Sequence, residues 1–214
     1  MSGMRERISL NLQVRGLRPS ATVTINEHSH ALAAEGLDVY KLGLGQSPFP
    51  VPASVVEALR AHATRKEYMP VRGLPALREA VAAYHRRRVG GDVPYSGDDV
   101  LVGPGSKELM FITQLAFYGD LVLPAPAWVS YSPQARIIGR QVCWAPTRAE
   151  DGWRLAPRDL DALCRRDLGR PRLLILNYPS NPTGCTYAPD ELAALAEVAR
   201  RHGVLVISDE IYGE

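Results

Sequence analysis

From Asp98 onward, short apolar runs alternate with helix-patterned stretches, and few folds accept that rhythm. Val100–Val102, Leu121–Leu123, Gln141–Trp144, Leu173–Leu176 and Val204–Ile207 read as strands. Between them Lys107–Phe117, Val129–Ile138, Pro157–Arg166 and Pro189–Arg201 carry apolar residues at helical spacing. Strands without polar alternation must be covered on both faces, which antiparallel meanders rarely provide. The expected fold is therefore α/β, a three-layer sandwich around a mostly parallel sheet. In such sheets ligands bind beyond the carboxyl ends of the strands, so the residues just after each strand matter most.

Before residue 98 the pattern is less regular. A helix is expected around Ser29–Glu35, with Gly36 as its stop. A second follows Pro52 through Val55, Val56 and Leu59, and a stronger one runs from Pro75 to just before Gly90-Gly91. Lys+Arg 25 against Asp+Glu 23 leaves a net charge of +2, which argues against a polybasic nucleic-acid arm or an acidic tail; no nucleic-acid partner is expected. The three cysteines, Cys143, Cys164 and Cys185, show no paired spacing, so neither a disulfide framework nor a zinc site is expected and the location reads as cytoplasmic. No apolar run approaches the ~20 residues that span a bilayer, and Met1–Ser9 is too polar for a signal segment; no membrane partner is expected.

Four strand ends carry chemistry-bearing residues. Gly103-Pro104-Gly105-Ser106-Lys107 opens a helix, and glycines there let a backbone approach an anion at the helix N-terminus. The same residues also suit an ordinary strand-to-helix turn; a Walker A loop is absent. Pro124-Ala125-Pro126-Ala127-Trp128 places a flat aromatic face at the mouth of the sheet, or simply a core Trp. Asn177-Tyr178-Pro179-Ser180-Asn181-Pro182-Thr183-Gly184 is either an elaborate turn or a polar site. Ser208-Asp209-Glu210-Ile211-Tyr212 follows Val-Leu-Val-Ile, where Asp209 suits a helix cap or the partner of a fixed cation.

In order, these pieces resemble the class I/II aminotransferases of fold type I, which depend on pyridoxal 5′-phosphate (PLP). The resemblance rests on Asn181-Pro182-Thr183-Gly184 followed by Asp209-Glu210-Ile211-Tyr212. Leu44–Phe49, Tyr68–Arg78, Gly103–Lys107, Pro126–Tyr131 and Leu17–Thr22 continue the series, so it covers nearly the whole chain. It implies that Asp209 pairs with the protonated pyridine nitrogen, and that Asn181 and Tyr212 hydrogen-bond the ring's 3′-oxygen. Trp128 would stack on the ring, while Gly105, Ser106 and Lys107 would hold the phosphate. Tyr68 would reach the phosphate of a neighbouring subunit, implying a homodimer with shared active sites. Gly45 would lie beside the α-carboxylate of the substrate. Residues 1–50 would form the N-terminal segment of the small domain with the substrate loop, and residues 51–214 the N-terminal part of the large PLP-binding domain.

The resemblance also implies what these residues lack. The family's Schiff-base lysine lies beyond Glu214, and Lys41, Lys66 and Lys107 do not match it, so no catalytic residue is expected within the chain. The reading is an incomplete fold, inactive alone, of an enzyme exchanging an amino group between an amino acid and a 2-oxo acid. Alternatives are a PLP-dependent lyase or synthase on the same scaffold, or a catalytically silent fragment. A transcriptional regulator would need a helix-turn-helix module before the family-like start at Leu17. Gln46 and Ser47 depart from the family's Gly-Glu-Pro-Asp loop, which points to a neutral or aromatic amino donor over strict aspartate specificity.

Overall fold

Leu173–Leu176 is apolar at every position, and in the computed structural model it lies in the central strand of a sheet, buried on both faces. Residues 9–43, 45, 47–90 and 93–213 are described. The first eight residues, Leu44 and Gln46 of the substrate loop, Gly91 of the expected helix stop, and Glu214 lie outside them.

Four strands, β1 (Asp120–Ala125), β2 (Val142–Pro146), β3 (Arg172–Asn177) and β4 (Val204–Asp209), pair in parallel in the order β2-β1-β3-β4. Helices α4 (Ser106–Ala116), α5 (Tyr131–Ile137), α6 (Pro157–Arg165) and α7 (Pro189–Arg201) connect or precede them. Leu121, Leu123, Leu173 and Ile175 face α4 and α5 through Met110, Tyr131 and Ala135. Val122, Leu174 and Leu176 face α6 and α7 through Leu160, Leu163, Leu195 and Val198. This is the expected three-layer α/β sandwich. Each of these fully covered leucines stabilises the sheet by about 1.5–3 kcal/mol relative to exposure.

Local chemistry sets the helix bounds. Pro157 and Pro189 occupy the first positions of α6 and α7, where a missing N–H costs nothing. At the start of α7 the Glu191 carboxylate accepts the Ala188 N–H at 2.8 Å. At the end of α4 the Arg140 guanidinium donates to the carbonyls of Gln114, Phe117 and Gly119, three acceptors the helix leaves unpaired.

The chain forms two compact units, one of residues Thr22–Leu109 and the other of the remainder. The Thr22–Leu109 unit carries α1 (Ala21–Ala34), α2 (Ala53–His62) and α3 (Pro75–Val89). Two expectations change here. The helix expected around Ser29–Glu35 begins at Ala21, although its first turns hold the β-branched Thr22, Val23, Thr24 and Ile25, whose propensity is lower. Val100–Val102, expected as the first strand, joins no sheet among the described residues. The Val102 N–H donates to Arg72 O at 3.0 Å instead. Its side chain lies against Gly73, whose φ is +99° and where an added Cβ would come within 2.6 Å.

Candidate active site

The strand order reverses between β1 and β3: the chain steps outward to β2, then returns past β1 to β3 and β4. α5 lies on one face and α6 and α7 on the other, and in parallel sheets of this kind such a point, beyond the carboxyl ends, is where ligands bind. Trp128, Tyr131, Asn177, Asn181, Asp209 and Tyr212 all lie at those ends.

Asp209 ends β4 on the side of the sheet that Ile207 shares with Tyr131, because alternate strand residues share a face. It is 7% exposed, a depth that a carboxylate reaches only with partners. One oxygen accepts the Tyr131 hydroxyl at 2.5 Å, and the other accepts the Ile211 N–H at 3.3 Å. None of the described residues gives it a cation. Burial first, and the bond to Asp209 second, push the Tyr131 phenol far above its ordinary range, so it stays a donor. Trp128 meets the Tyr131 ring edge-on at 5.2 Å.

The Asn181 amide donates to the Tyr212 hydroxyl at 3.1 Å, so these two expected site residues are in contact. Asn177 is in register with Asp209 across β3 and β4. Its amide nitrogen donates to the Asp209 carbonyl at 2.8 Å, and its amide oxygen accepts the Asn181 N–H at 2.7 Å. Thus Trp128, Asp209, Asn181 and Tyr212 are linked through Tyr131 and Asn177, two residues that lie within the motifs but to which the family resemblance assigns no role. The signal for Tyr131 was its place three residues after Trp128 at a helix start. For Asn177 it was its place as the last residue of an apolar strand.

The other expected residues belong to the Thr22–Leu109 unit. Gly105 has φ +104° with open space where a Cβ would stand, and Ser106 begins α4 with Lys107 exposed beside it. Since Val100–Val102 is no strand, this turn follows an irregular segment. Gly45 is exposed with open space around its α-carbon, and Tyr68 is fully exposed.

The profile of a family described as aminotransferase class I and II matches residues 38–214. A probable aspartate/prephenate aminotransferase of Aquifex aeolicus is 35% identical over 211 residues, covering 96% of this chain and 52% of the relative. An aspartate aminotransferase of Geobacillus stearothermophilus is 36% identical over 210 residues, with the same two shares. The solved aspartate aminotransferase of Thermus thermophilus with maleate superposes at a TM-score of 0.85 and 33% identity, over 95% of this chain and 53% of that one. The chain spans about half the length of the curated relatives it matches. By this profile match, and with a sheet whose solved counterparts are aminotransferases, the chain belongs to the class I and II aminotransferase family.

Proposed function

We propose that the protein carrying these residues transfers an amino group between an amino acid and a 2-oxo acid with PLP as cofactor. The observation that supports this most is Asp209: a buried carboxylate at a sheet's carboxyl end, given no cation by the described residues. A cationic aromatic N–H is the partner such a group suits, and the neighbouring Asn181–Tyr212 pair suits an anionic oxygen on the same ring. The donor set therefore fits PLP. Relatives named as aminotransferases favour this reading over a lyase.

When bound, the cofactor supplies a conjugated ring that takes up the electron pair left as the substrate's α-proton departs. Asp209 holds a proton on the ring nitrogen, keeping the ring cationic. Asn181 and Tyr212 bind the ring's 3′-oxygen, and Trp128 offers a face to stack on. Gly105, Ser106 and Lys107 hold the phosphate at the start of α4, where the N–H groups of the first turn and the helix dipole favour an anion. Gly45 receives the substrate's α-carboxylate. The lysine that moves the proton is none of Lys41, Lys66 or Lys107, and the resemblance places it beyond Glu214.

Within the same reading, residues 1–50 belong to the small domain and residues 51–214 to the large one. The protein is a homodimer with shared active sites, in which Tyr68 reaches the neighbouring phosphate; the exposed Tyr68, Met69 and Val71 agree with a surface that a second copy covers. The free thiols of Cys143, Cys164 and Cys185 agree with a cytoplasmic location. Among the described residues no helix is long and apolar enough to cross a membrane.

Asp209→Ala in the full-length protein tests the central assignment. Loss of one preorganised electrostatic contact predicts at least about a hundredfold fall in kcat. Near-normal transamination would overturn the role, and a stoichiometric borohydride-reduced adduct on Lys107 would overturn its place in the phosphate cradle.

A further inference from the structure

We infer that Asn177 is a positioning residue, whose single side-chain amide sets the relation between Asp209 and Asn181. The inference deepens the proposed function and rests on it. Asn177 ends β3 beside Asp209, the register pair at the end of β4. Its Nδ2 donates to Asp209 O at 2.8 Å while its Oδ1 accepts Asn181 N–H at 2.7 Å. The Tyr178 N–H reaches the same Asp209 carbonyl at 3.2 Å. The amide can face only one way, since a reversed orientation would set donor against donor and acceptor against acceptor.

This brace acts at the start of the loop, whose far end is held by the Cys185 thiol against Trp153 O. After β3 the chain leaves the sheet. The bonds Ser180 N to Cys185 O, and Gly184 N to Ser180 O, close the loop only upon itself. Asn177 ties Asn181 to the strand that carries Asp209. Asn181 in turn donates to Tyr212, so one amide relates the group facing the ring nitrogen to the pair facing the 3′-oxygen. The task requires a donor and an acceptor on a short stem. Asp lacks the donor, Ala lacks both, and Gln holds them one methylene too far out. Such supporting contacts keep a site within the narrow tolerance that binding chemistry needs.

Three full-length variants test the brace: Asn177→Ala, Asn177→Asp, and Leu160→Ala, which opens the core away from the site. The readouts are exchange of the Asn181 amide without cofactor, the Kd for PLP, and the pH midpoint of the visible absorbance with PLP bound. Asn177→Ala should speed Asn181 exchange at least about tenfold by removing the acceptor. It should weaken PLP binding at least about tenfold through lost preorganisation. The absorbance midpoint should rise by at least about 0.5 unit, roughly threefold in proton affinity, as Asn181 loses its hold on the 3′-oxygen. Asn177→Asp, which keeps the acceptor, should leave Asn181 exchange slow while PLP binding weakens, and it serves alone if the Ala variant does not fold. Leu160→Ala should lower the thermal midpoint and leave affinity and absorbance midpoint unchanged. If both Asn177 variants match the wild type in Kd and midpoint, or if Leu160→Ala shifts both as far, Asn177 is only a structural residue and the inference is overturned. A wild-type protein that binds no PLP overturns the proposed function instead.

Discussion

Replacing Tyr131 by Phe removes one oxygen from the interior and almost nothing else. The ring keeps its edge-on contact with Trp128 and its packing against Ala135, so no cavity forms. What is lost is the 2.5 Å bond to Asp209, between residues 2% and 7% exposed, where neither water nor salt screens it appreciably. A hydrogen bond to a charged group contributes about 1.5–3 kcal/mol, and the orphaned carboxylate oxygen makes the upper half of that range the expectation. At about 1.4 kcal/mol per decade, that upper half is roughly a 40- to 140-fold increase in local opening. The Ile211 and Tyr178 amides both donate to Asp209, so their hydrogen exchange in the full-length, cofactor-free protein reads the opening directly. Because burial, and then the bond to Asp209, hold the Tyr131 phenol far above its ordinary pKa, its hydroxyl stays a donor and the effect should persist at mildly alkaline pH. Acceleration of less than about threefold at both amides would refute the assignment of Tyr131 as the principal support of Asp209.

Other outcomes follow from the same structure. Asp161 on α6 accepts from Arg165 at 2.6 Å and lies 2.8 Å from His202 at the end of α7, and His202 first, then Arg165, lower its pKa. A depressed folded pKa gives stability that is present above the unfolded carboxylate range and lost as pH falls through the folded value. Asp161→Asn should therefore flatten the acid side of the thermal-midpoint profile; an unchanged profile would count against it. Leu173→Ala, at a fully buried position in β3, should cost about 2–5 kcal/mol in denaturant unfolding, and a loss under about 1 kcal/mol would mean the sheet is not packed there as described. With a common 2-oxo acid, neutral or aromatic donors should stay within about a hundredfold of aspartate in kcat/KM. A gap above ~2.7 kcal/mol in favour of aspartate would refute the loop reading at Gln46 and Ser47.

The elements best read from sequence are those whose local signals agree. α7 was expected at Pro189–Arg201 and spans those residues, because proline at its first position, Glu191 two places on and apolar residues at helical spacing all point one way. α1 begins earlier than its sequence suggests because its opening residues favour strand when judged alone, whereas helix bounds depend on the surrounding turn as well as on propensity. Val100–Val102 looked like its neighbours in composition, but a strand exists only where a partner accepts its backbone, and here Arg72 O takes that role for Val102.

By itself the sequence determined the alternation of apolar strand and helix, and hence a doubly covered parallel sheet with its polar residues collected at one end. It also determined which residues stand at that end, because the position of Asp209 after an apolar run and of Asn181 within a proline-punctuated turn is linear information. Only the tertiary structure decided which of them meet. Tyr131 and Asp209 are brought together because β1 and β4 flank β3 and point the same way, so that the start of α5 reaches the end of β4. Asn177 could be recognised as a support only once register set it beside Asp209, since a hydrogen bond depends on distance and direction in space, whereas sequence carries only order along the chain.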